Sequence, residues 1–363
     1  MAATLLRILC MFEDVGTPSS TGKGVALRAM VLEGPERIAL RRVDAPRPTP
    51  DHSTIAVRTV GICGTDLSIF HGTIPVSYPR ILGHEIVGVV GDGAAGSPSG
   101  TRVLVDPSVS CGSCRLCREG RSNLCTAGWL LGRDRDGGLA ETMMVPTANL
   151  HVVPETVSDH AAPSIQMLST CLHGQAMCDV GAGEAVAVVG LGVTGLMHVQ
   201  LAASAGASPI VGITRSADKR RLAERMGATH TVDAEDPDAE AIVGEITGGG
   251  AAVTIECAGK VATLARAVRI AEPGGRILAY GTITEHGGAF PFYDLYYKEL
   301  TIVSPRAATP GDVAAAVDAA AEGAVDLEPL VTDRVPLERA GDALEAGGGA
   351  HTLKIVIDVA EGR

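Results

Sequence analysis

Residues Ala185–Ile213 read AVAVVGLGVTGLMHVQLAASAGASPIVGI. Ala185–Val189 is a short apolar run with the length and content of a buried strand, and Ile210–Ile213 is a second. Between them Gly190-Leu191-Gly192-Val193-Thr194-Gly195 opens a helix over Gly192–Ala205. The G-x-G-x-x-G spacing alone is a weak signal in a chain with 45 glycines. At a strand-to-helix junction inside a βαβ unit it gains a physical meaning. Gly190 permits the tight turn, Gly192 lets backbone approach a pyrophosphate, and Gly195 lets the helix pack on the strand. The helix N-terminus then offers free N–H groups and a partial positive charge to that anion. Leu191 and Val193 complete the expected cofactor turn.

The same stretch carries no formally charged residue between Glu184 and Arg215, which raises the question of a membrane span. Gly190, Gly192, Gly195, Gly206 and Pro209 divide it into short elements, and His198, Gln200 and Ser204 suit a half-buried helix, so no membrane association is expected. Where the second strand ends, a carboxylate would mark a bare ribose. Thr214 and Arg215 stand there instead, with Lys219 and Arg220 nearby, and a hydroxyl beside cations suits a 2′-phosphate. NADP(H) is therefore favoured over NAD(H).

Outward from this unit the alternation continues. A helix is expected over Ala217–Met226, and strands over Val253–Cys257, Arg276–Tyr280 and Thr301–Val303, which together imply a parallel sheet covered by helices. A helix near Asp312–Glu322 and a strand at Lys354–Val359 close the chain. Upstream, RAMVLEG (28–34), STIAVRTVG (53–61), HEIVGVVG (84–91) and TRVLVDP (101–107) read as β runs broken by turns. The fold class is α/β. Residues 1–27 look appended. Met1–Met11 is apolar but lacks a basic leader and a cleavage site, so the expected compartment is the cytoplasm.

With 363 residues and 46% hydrophobic content the chain has length for two domains and a sizeable core. A net charge of −12 and 3% aromatic residues disfavour nucleic acid, because the surface repels phosphate and offers few rings for stacking.

The chain holds 9 cysteines, an odd number that does not suit a disulfide scaffold. Four of them crowd into CGSCRLCREGRSNLC, with Cys111, Cys114, Cys117 and Cys125 spaced C-x2-C-x2-C-x7-C. Four thiolates so close fit a closed, structural Zn2+ site. An iron–sulfur cluster is the alternative, although no proline follows the fourth cysteine and the last gap is long. A second constellation lies in GICGTD (61–66) and GHE (83–85), where Cys63 and His84 offer zinc a sulfur and an imidazole.

These motifs, with FHG (70–72), DGGLAE (136–141), LHG (172–174), GLGVTG (190–195) and PGGRILAYG (273–281), make the chain resemble the zinc-containing medium-chain dehydrogenase/reductases. That group includes alcohol, polyol (sorbitol) and threonine dehydrogenases. The resemblance spans about Arg28 to Asp358. It implies a GroES-like β-rich catalytic domain built from residues 28–157 and 298–363, with a Rossmann coenzyme domain over 158–297 inserted. It implies two Zn2+ per chain, one structural and one catalytic. Cys63, Thr65, His84 and Glu85 then form the catalytic set: Cys63 and His84 ligate, Asp66 fixes the histidine tautomer, Glu85 coordinates or adjoins the metal, and Thr65 passes a proton.

Two departures stand out. Gln166 occupies a place where a glutamate is common, which makes it a weak candidate ligand, with Glu85 completing the charge and Cys171 able to substitute only if its helix rotated. Ser68 stands where a relay histidine is common, with His71 one turn along as a stand-in. The expected activity is NAD(P)-dependent interconversion of a secondary alcohol or polyol hydroxyl with a ketone or aldehyde. The alternatives are a reductase of this fold without catalytic zinc and a non-catalytic dinucleotide-binding protein. Ile69, Phe70, Trp129 and Tyr293–Tyr297 are expected near the substrate cleft, Ala289–Leu300 at a subunit interface, and the assembly as a homodimer or homotetramer.

Overall fold

A computed structural model describes residues 26–47, 49–91, 98–347, 349 and 351–360. Residues 1–25, which hold most of the expected N-terminal extension, lie outside the described residues. Ala26 and Leu27, which the expected extension included, belong to the first strand, and Leu27 is buried.

The chain starts with β1 (Ala26–Gly34), β2 (Arg37–Asp44) and β3 (His52–Ile62), followed by helix α1 (Gly64–Phe70). Then come β4 (Arg80–Ile81), β5 (Glu85–Val90), β6 (Arg102–Val105), β7 (Ser108–Val109), helix α2 (Arg115–Arg118), β8 (Trp129–Leu130), β9 (Thr142–Pro146) and β10 (Leu150–Val152). A 15-residue helix, α3 (Ser164–Cys178), leads into β11 (Val186–Val189), α4 (Val193–Ser204), β12 (Ile210–Thr214), α5 (Ala217–Arg225), β13 (His230–Asp233), α6 (Ala239–Thr247) and β14 (Ala251–Glu256). Helix α7 (Val261–Ile270), β15 (Ala271–Ala279), α8 (Phe292–Tyr297) and β16 (Thr301–Val303) follow, and the chain closes with α9 (Pro310–Ala321), β17 (Val331–Pro336), α10 (Ala340–Ala346) and β18 (Lys354–Asp358).

Six strands form one parallel sheet in the order β13-β12-β11-β14-β15-β16. Numbered from β11, this is the 3-2-1-4-5-6 order of a doubly wound dinucleotide fold, whose ligand crevice opens where the order reverses, between β11 and β14. All four residues of β11 are buried, as a strand covered by helices on both faces requires. The pairing of β16 with β15 carries this sheet to Val303, past the expected boundary at 297. β15 also begins earlier than the expected Arg276. Its pairing with β14 starts at Ala271 and shifts register before Arg276, across the Pro273-Gly274-Gly275 turn that hid the strand in the sequence.

The second unit is a seven-stranded sheet ordered β10-β6-β5-β3-β18-β17, with β9 added to β3. β18 pairs antiparallel with β3, Ile355 opposite Ile62, so the two ends of the chain share one sheet and one core. Next to β18, β3 pairs antiparallel with β5, Gly61 opposite Glu85. That register places the end of β3 beside the start of β5, where the chemistry-bearing residues lie.

Candidate active site and metal centres

Cys63 follows β3 directly and precedes α1; His84 stands immediately before β5, which Glu85 opens. One sulfur, one imidazole nitrogen and one carboxylate oxygen from these three residues all lie within 4.8 Å of one another. Asp66, fully buried, ties the group together. Its Oδ2 accepts from the Cys63 N–H at 3.0 Å, and its Oδ1 accepts from the Gly83 N–H at 3.1 Å and lies 3.2 Å from His84 Nδ1. With Nδ1 occupied, Nε2 is the ring nitrogen left for a metal, which is how outer carboxylates orient histidine ligands. Burial opposes charge on His84, but the Asp66 carboxylate and the neighbouring Cys63 outweigh it and hold the ring's pKa well above the imidazole range. Burial likewise opposes charge on Asp66, while His84 and the two backbone donors bring its pKa below the usual carboxylate value. This donor set, soft sulfur with borderline nitrogen and hard oxygen, fits Zn2+.

Glu85 is fully buried and both its oxygens lie 2.8 Å from Lys354 Nζ, an ammonium that also donates to the Ile62 carbonyl at 3.1 Å. Sequence reasoning missed Lys354: at the head of an apolar C-terminal strand it reads as a surface cation. Gly61 makes room for the pair, because a Cβ there would stand 2.2 Å from Glu85 Oε2. Thr65 is half-buried in the first turn of α1. Gln166 is half-buried in the first turn of α3, its backbone carbonyl accepting from Ser169 Oγ at 2.6 Å.

Cys111, Cys114, Cys117 and Cys125 converge in a lobe around α2. Their sulfurs are 4.0 Å apart for 111–117, 3.5 Å for 114–117, 3.9 Å for 114–125 and 3.5 Å for 111–125. A tetrahedron with zinc–sulfur bonds of about 2.3 Å has edges of about 3.8 Å, so the four thiols fit one zinc ion. All four are free thiols. Hydrogen bonds from the backbone and side chain of Ser113 and from the Cys114 N–H lower the Cys111 thiol to about 6, toward the thiolate a metal needs. Burial, with hydrogen bonds to Cys114 and Cys125, raises Cys117 to about 11.

The cofactor turn lies at the reversal point of the parallel sheet. Gly190 has φ +95°, and a Cβ on it would meet Ala258, just beyond β14, at 3.1 Å. A Cβ on Gly195 would lie 1.9 Å from the Gly190 carbonyl oxygen, whereas one on Gly192, the residue before α4, would meet nothing within 4 Å. Helix packs on turn at the first and third glycines, and the second faces the open space a pyrophosphate needs. Leu191 contributes backbone only, its side chain being buried in the core; Val193 is half-buried at the first helical position.

At the end of β12, Thr214 is half-buried and Arg215 exposed, 4.0 Å from Glu235. Lys219 caps back onto Ser216 through its backbone N–H. Arg220 departs from expectation. Its guanidinium donates to the Thr214 and Arg215 carbonyls at 2.7 and 3.0 Å and pairs with Asp233 at 3.1 Å, so it braces the loop and neutralises a neighbouring carboxylate.

Several expected side chains point elsewhere. Ile69 and Phe70 are core residues at 0% and 1% exposure, since α1 turns its apolar face into the barrel-like unit. Trp129 stacks with Arg135 in a groove of the same unit. Tyr293, Tyr296 and Tyr297 stand on solvent, 70–80% exposed. His71 is held by Glu36 at 2.9 Å. Cys171 packs against Tyr280 and the cofactor turn, where burial pushes its thiol up to about 12.

Comparison with known proteins agrees with this geometry. Residues 49–155 match the alcohol dehydrogenase GroES-like domain, and residues 193–322 the zinc-binding dehydrogenase domain. Sorbitol dehydrogenase of Halalkalibacterium halodurans is 29% identical over 86% of this chain and 94% of its own length. L-galactonate-5-dehydrogenase of Escherichia coli is 30% identical over 88% of this chain and 94% of its own. The crystal structure of a putative zinc-binding dehydrogenase from Sinorhizobium meliloti 1021 bound to NADP superposes with a TM-score of 0.85 at 35% identity, covering 92% of this chain and 99% of that one. The chain belongs to the zinc-type medium-chain dehydrogenase/reductase family. Its activity is that of an alcohol dehydrogenase, an oxidoreductase acting on CH–OH groups with a nicotinamide dinucleotide. Among the described residues no helix is long and apolar enough to cross a membrane.

Proposed function

We propose that this chain oxidises a secondary hydroxyl of a polyol or sugar-acid type substrate with NADP+, holds two zinc ions, and works as a homodimer or homotetramer in the cytoplasm. The carrying observation is the cluster of Cys63, His84 and Glu85, with His84 fixed by Asp66. Cys63 and His84 hold the catalytic zinc, and Glu85 supplies negative charge beside them, with Gln166 a weaker neutral candidate on α3. When bound, zinc supplies Lewis acidity at the substrate oxygen and the nicotinamide ring supplies the hydride acceptor.

The chain's own residues do the remaining work. Asp66 keeps His84 in the tautomer that presents Nε2. Thr65 Oγ accepts the substrate hydroxyl proton, and Ser68, three residues on in α1, lies on its way to water. The N–H groups at the start of α4 bind the pyrophosphate, and Thr214, Arg215 and Lys219 receive the 2′-phosphate.

The sorbitol and L-galactonate dehydrogenases among the relatives support the substrate class, and Thr214 and Arg215 at the end of β12, where a carboxylate would mark a bare ribose, support the coenzyme preference. Free thiols support a reducing compartment, and the exposed edge strand β16 beside the tyrosines of α8 supports self-association. The test is initial-rate assay over polyols and sugar acids with each coenzyme. Turnover of such an alcohol with a higher kcat/KM for NADP+, abolished by Cys63→Ala, is expected. Turnover that survives Cys63→Ala refutes the zinc reading, and a preference for NAD+ refutes the phosphate reading.

A further inference from the structure

His173 belongs to the LHG motif (172–174), to which the chemistry above gives no role. It stands on the third turn of α3, and both of its ring nitrogens are engaged. Nδ1 lies 3.0 Å from Asp312 Oδ2 in α9, and Nε2 lies 3.2 Å from Asn123 Nδ2. The Asn123 amide also donates to the Arg306 carbonyl at 2.9 Å, and Arg306 Nη1 donates back to the Asn123 carbonyl at 3.3 Å. A carbonyl only accepts, so the atom facing Arg306 is the amide nitrogen, and its second hydrogen serves His173. Nε2 is then the acceptor, and Nδ1–H donates to Asp312, a carboxylate itself held by the Thr309 N–H and hydroxyl at 2.8 and 2.6 Å.

This chain of bonds crosses between two units. Asn123 lies between Cys117 and Cys125, in the four-cysteine lobe inserted between β7 and β8. Its partners belong to the coenzyme unit: α3 and α9 share an apolar core with β11 and α4, through Ile165, Leu168, Val313 and Val317, and Arg306 follows β16. Ala307 beside it takes a left-handed φ of +53°, a conformation kept only where the surroundings impose it. We infer that Asn123 is a positioning residue, which latches the lobe onto the coenzyme unit through His173 and so fixes the gap between the Cys63–His84 cluster and the nicotinamide ring. The inference rests on the reading of that cluster and the α4 turn as two halves of one active site. The cluster is built on β3 and β5 and the coenzyme turn on β11, so the gap is set by contacts between the units. A misplacement of about 1 Å between reacting groups can cost about 100-fold in rate. Four cysteines on one ion stiffen the loop that carries Asn123, which gives the lobe a part in placing the reactants besides its part in stability.

The test uses full-length protein and the single tryptophan of the chain, Trp129, which sits on β8 just past the lobe. NADPH binds on the other unit, so energy transfer from Trp129 to bound NADPH reads the separation without any turnover. With NADPH saturating, Asn123→Ala is expected to lower the transfer efficiency and to lower kcat about tenfold, with the Kd for NADPH and the zinc content unchanged. His173→Phe keeps the bulk of the ring and loses both bonds, and gives the same changes. The double variant is no worse than either single one. His173→Gln, whose amide keeps one acceptor and one donor, restores most of both readouts. Either readout left at its wild-type value in both single variants overturns the inference, as do effects that multiply in the double variant.

Should Asn123→Ala lose the zinc of its lobe, His173→Phe decides the matter by the same two readouts, since it breaks the contact from α3 and leaves the lobe as it is. Wild-type protein that shows neither transfer to NADPH nor turnover of a polyol or sugar acid shows instead that the active-site reading itself has failed, before any substitution is made.

Discussion

Replacing Asp66 with asparagine removes one charge and almost no volume, so it isolates what the carboxylate does. In the native site its two oxygens serve three partners: the Cys63 N–H on Oδ2, and the Gly83 N–H and His84 Nδ1 on Oδ1. An amide has one acceptor. If its oxygen takes the Oδ1 place, its NH2 faces the Cys63 N–H; reversed, it faces both Gly83 and His84. Either way at least one buried donor is orphaned, at about 1–3 kcal/mol, and the surviving bonds lose charge assistance worth about 1 kcal/mol each. Relief of the desolvation carried by a fully buried carboxylate offsets part of this, leaving a net loss of about 2–4 kcal/mol. Because His84 also loses its orientation, metal affinity at the Cys63 site falls about 10–100-fold. The assay pairs urea unfolding with chelator competition on the same preparation. An Asp66→Asn variant that unfolds at the wild-type midpoint and retains its metal equally well refutes the role given to this carboxylate.

His198 is fully buried and burial pushes its ring down to about 3. The unfolded chain binds a proton that the native ring refuses, so stability falls as pH drops below about 6.5, by about 2 kcal/mol at pH 5. His198→Gln removes that share of the loss, and equal slopes of unfolding free energy between pH 7 and pH 5 in variant and wild type contradict the assignment. Asp106 shifts the other way. Burial raises its carboxyl to about 6, so the native state holds a proton the unfolded chain has released, and stability is regained as pH falls through 6. Asp106→Asn therefore stabilises the chain at pH 7 by about 2–3 kcal/mol, measured in the same unfolding assay, and a destabilised variant counts against it.

Gly195→Ala forces a Cβ to 1.9 Å from the Gly190 oxygen. The start of α4 must move, and NADPH binding followed by fluorescence weakens at least about tenfold, with about 1–3 kcal/mol lost in stability. Wild-type NADPH affinity in that variant argues against the turn as the pyrophosphate site. Arg215→Ala raises the Kd for NADP+ about tenfold and leaves that for NAD+ unchanged. Equal effects on both coenzymes remove Arg215 from the phosphate site.

The coenzyme unit was readable because its signals are local. Buried parallel strands are short unbroken apolar runs, and the glycine turn carries its own geometric demand, so β11, α4 and β12 start or end within two residues of expectation. The four-cysteine lobe was equally local. What escaped reading depends on partners far along the chain. Lys354 looks solvated until β18 is paired with β3, which buries it against Glu85. Ile69 and Phe70 look like candidates for a cleft until α1 is packed and its apolar face is spent on the core. The tyrosines of α8 look apolar enough to line a pocket, but among the described residues Tyr293, Tyr296 and Tyr297 stay exposed, while Leu295 on the same helix packs into the core beside α7. Arg220 counts as free charge in sequence because nothing there shows Asp233 of the next strand beside it.

The most direct measurement is zinc content per chain in protein purified without chelators, for the wild type and for Cys63→Ala/His84→Ala. Two zinc ions in the wild type and one in the double variant are expected, with the remaining ion held by Cys111, Cys114, Cys117 and Cys125. One ion in both proteins leaves the Cys63–His84 cluster without a metal and contradicts the catalytic role assigned to it.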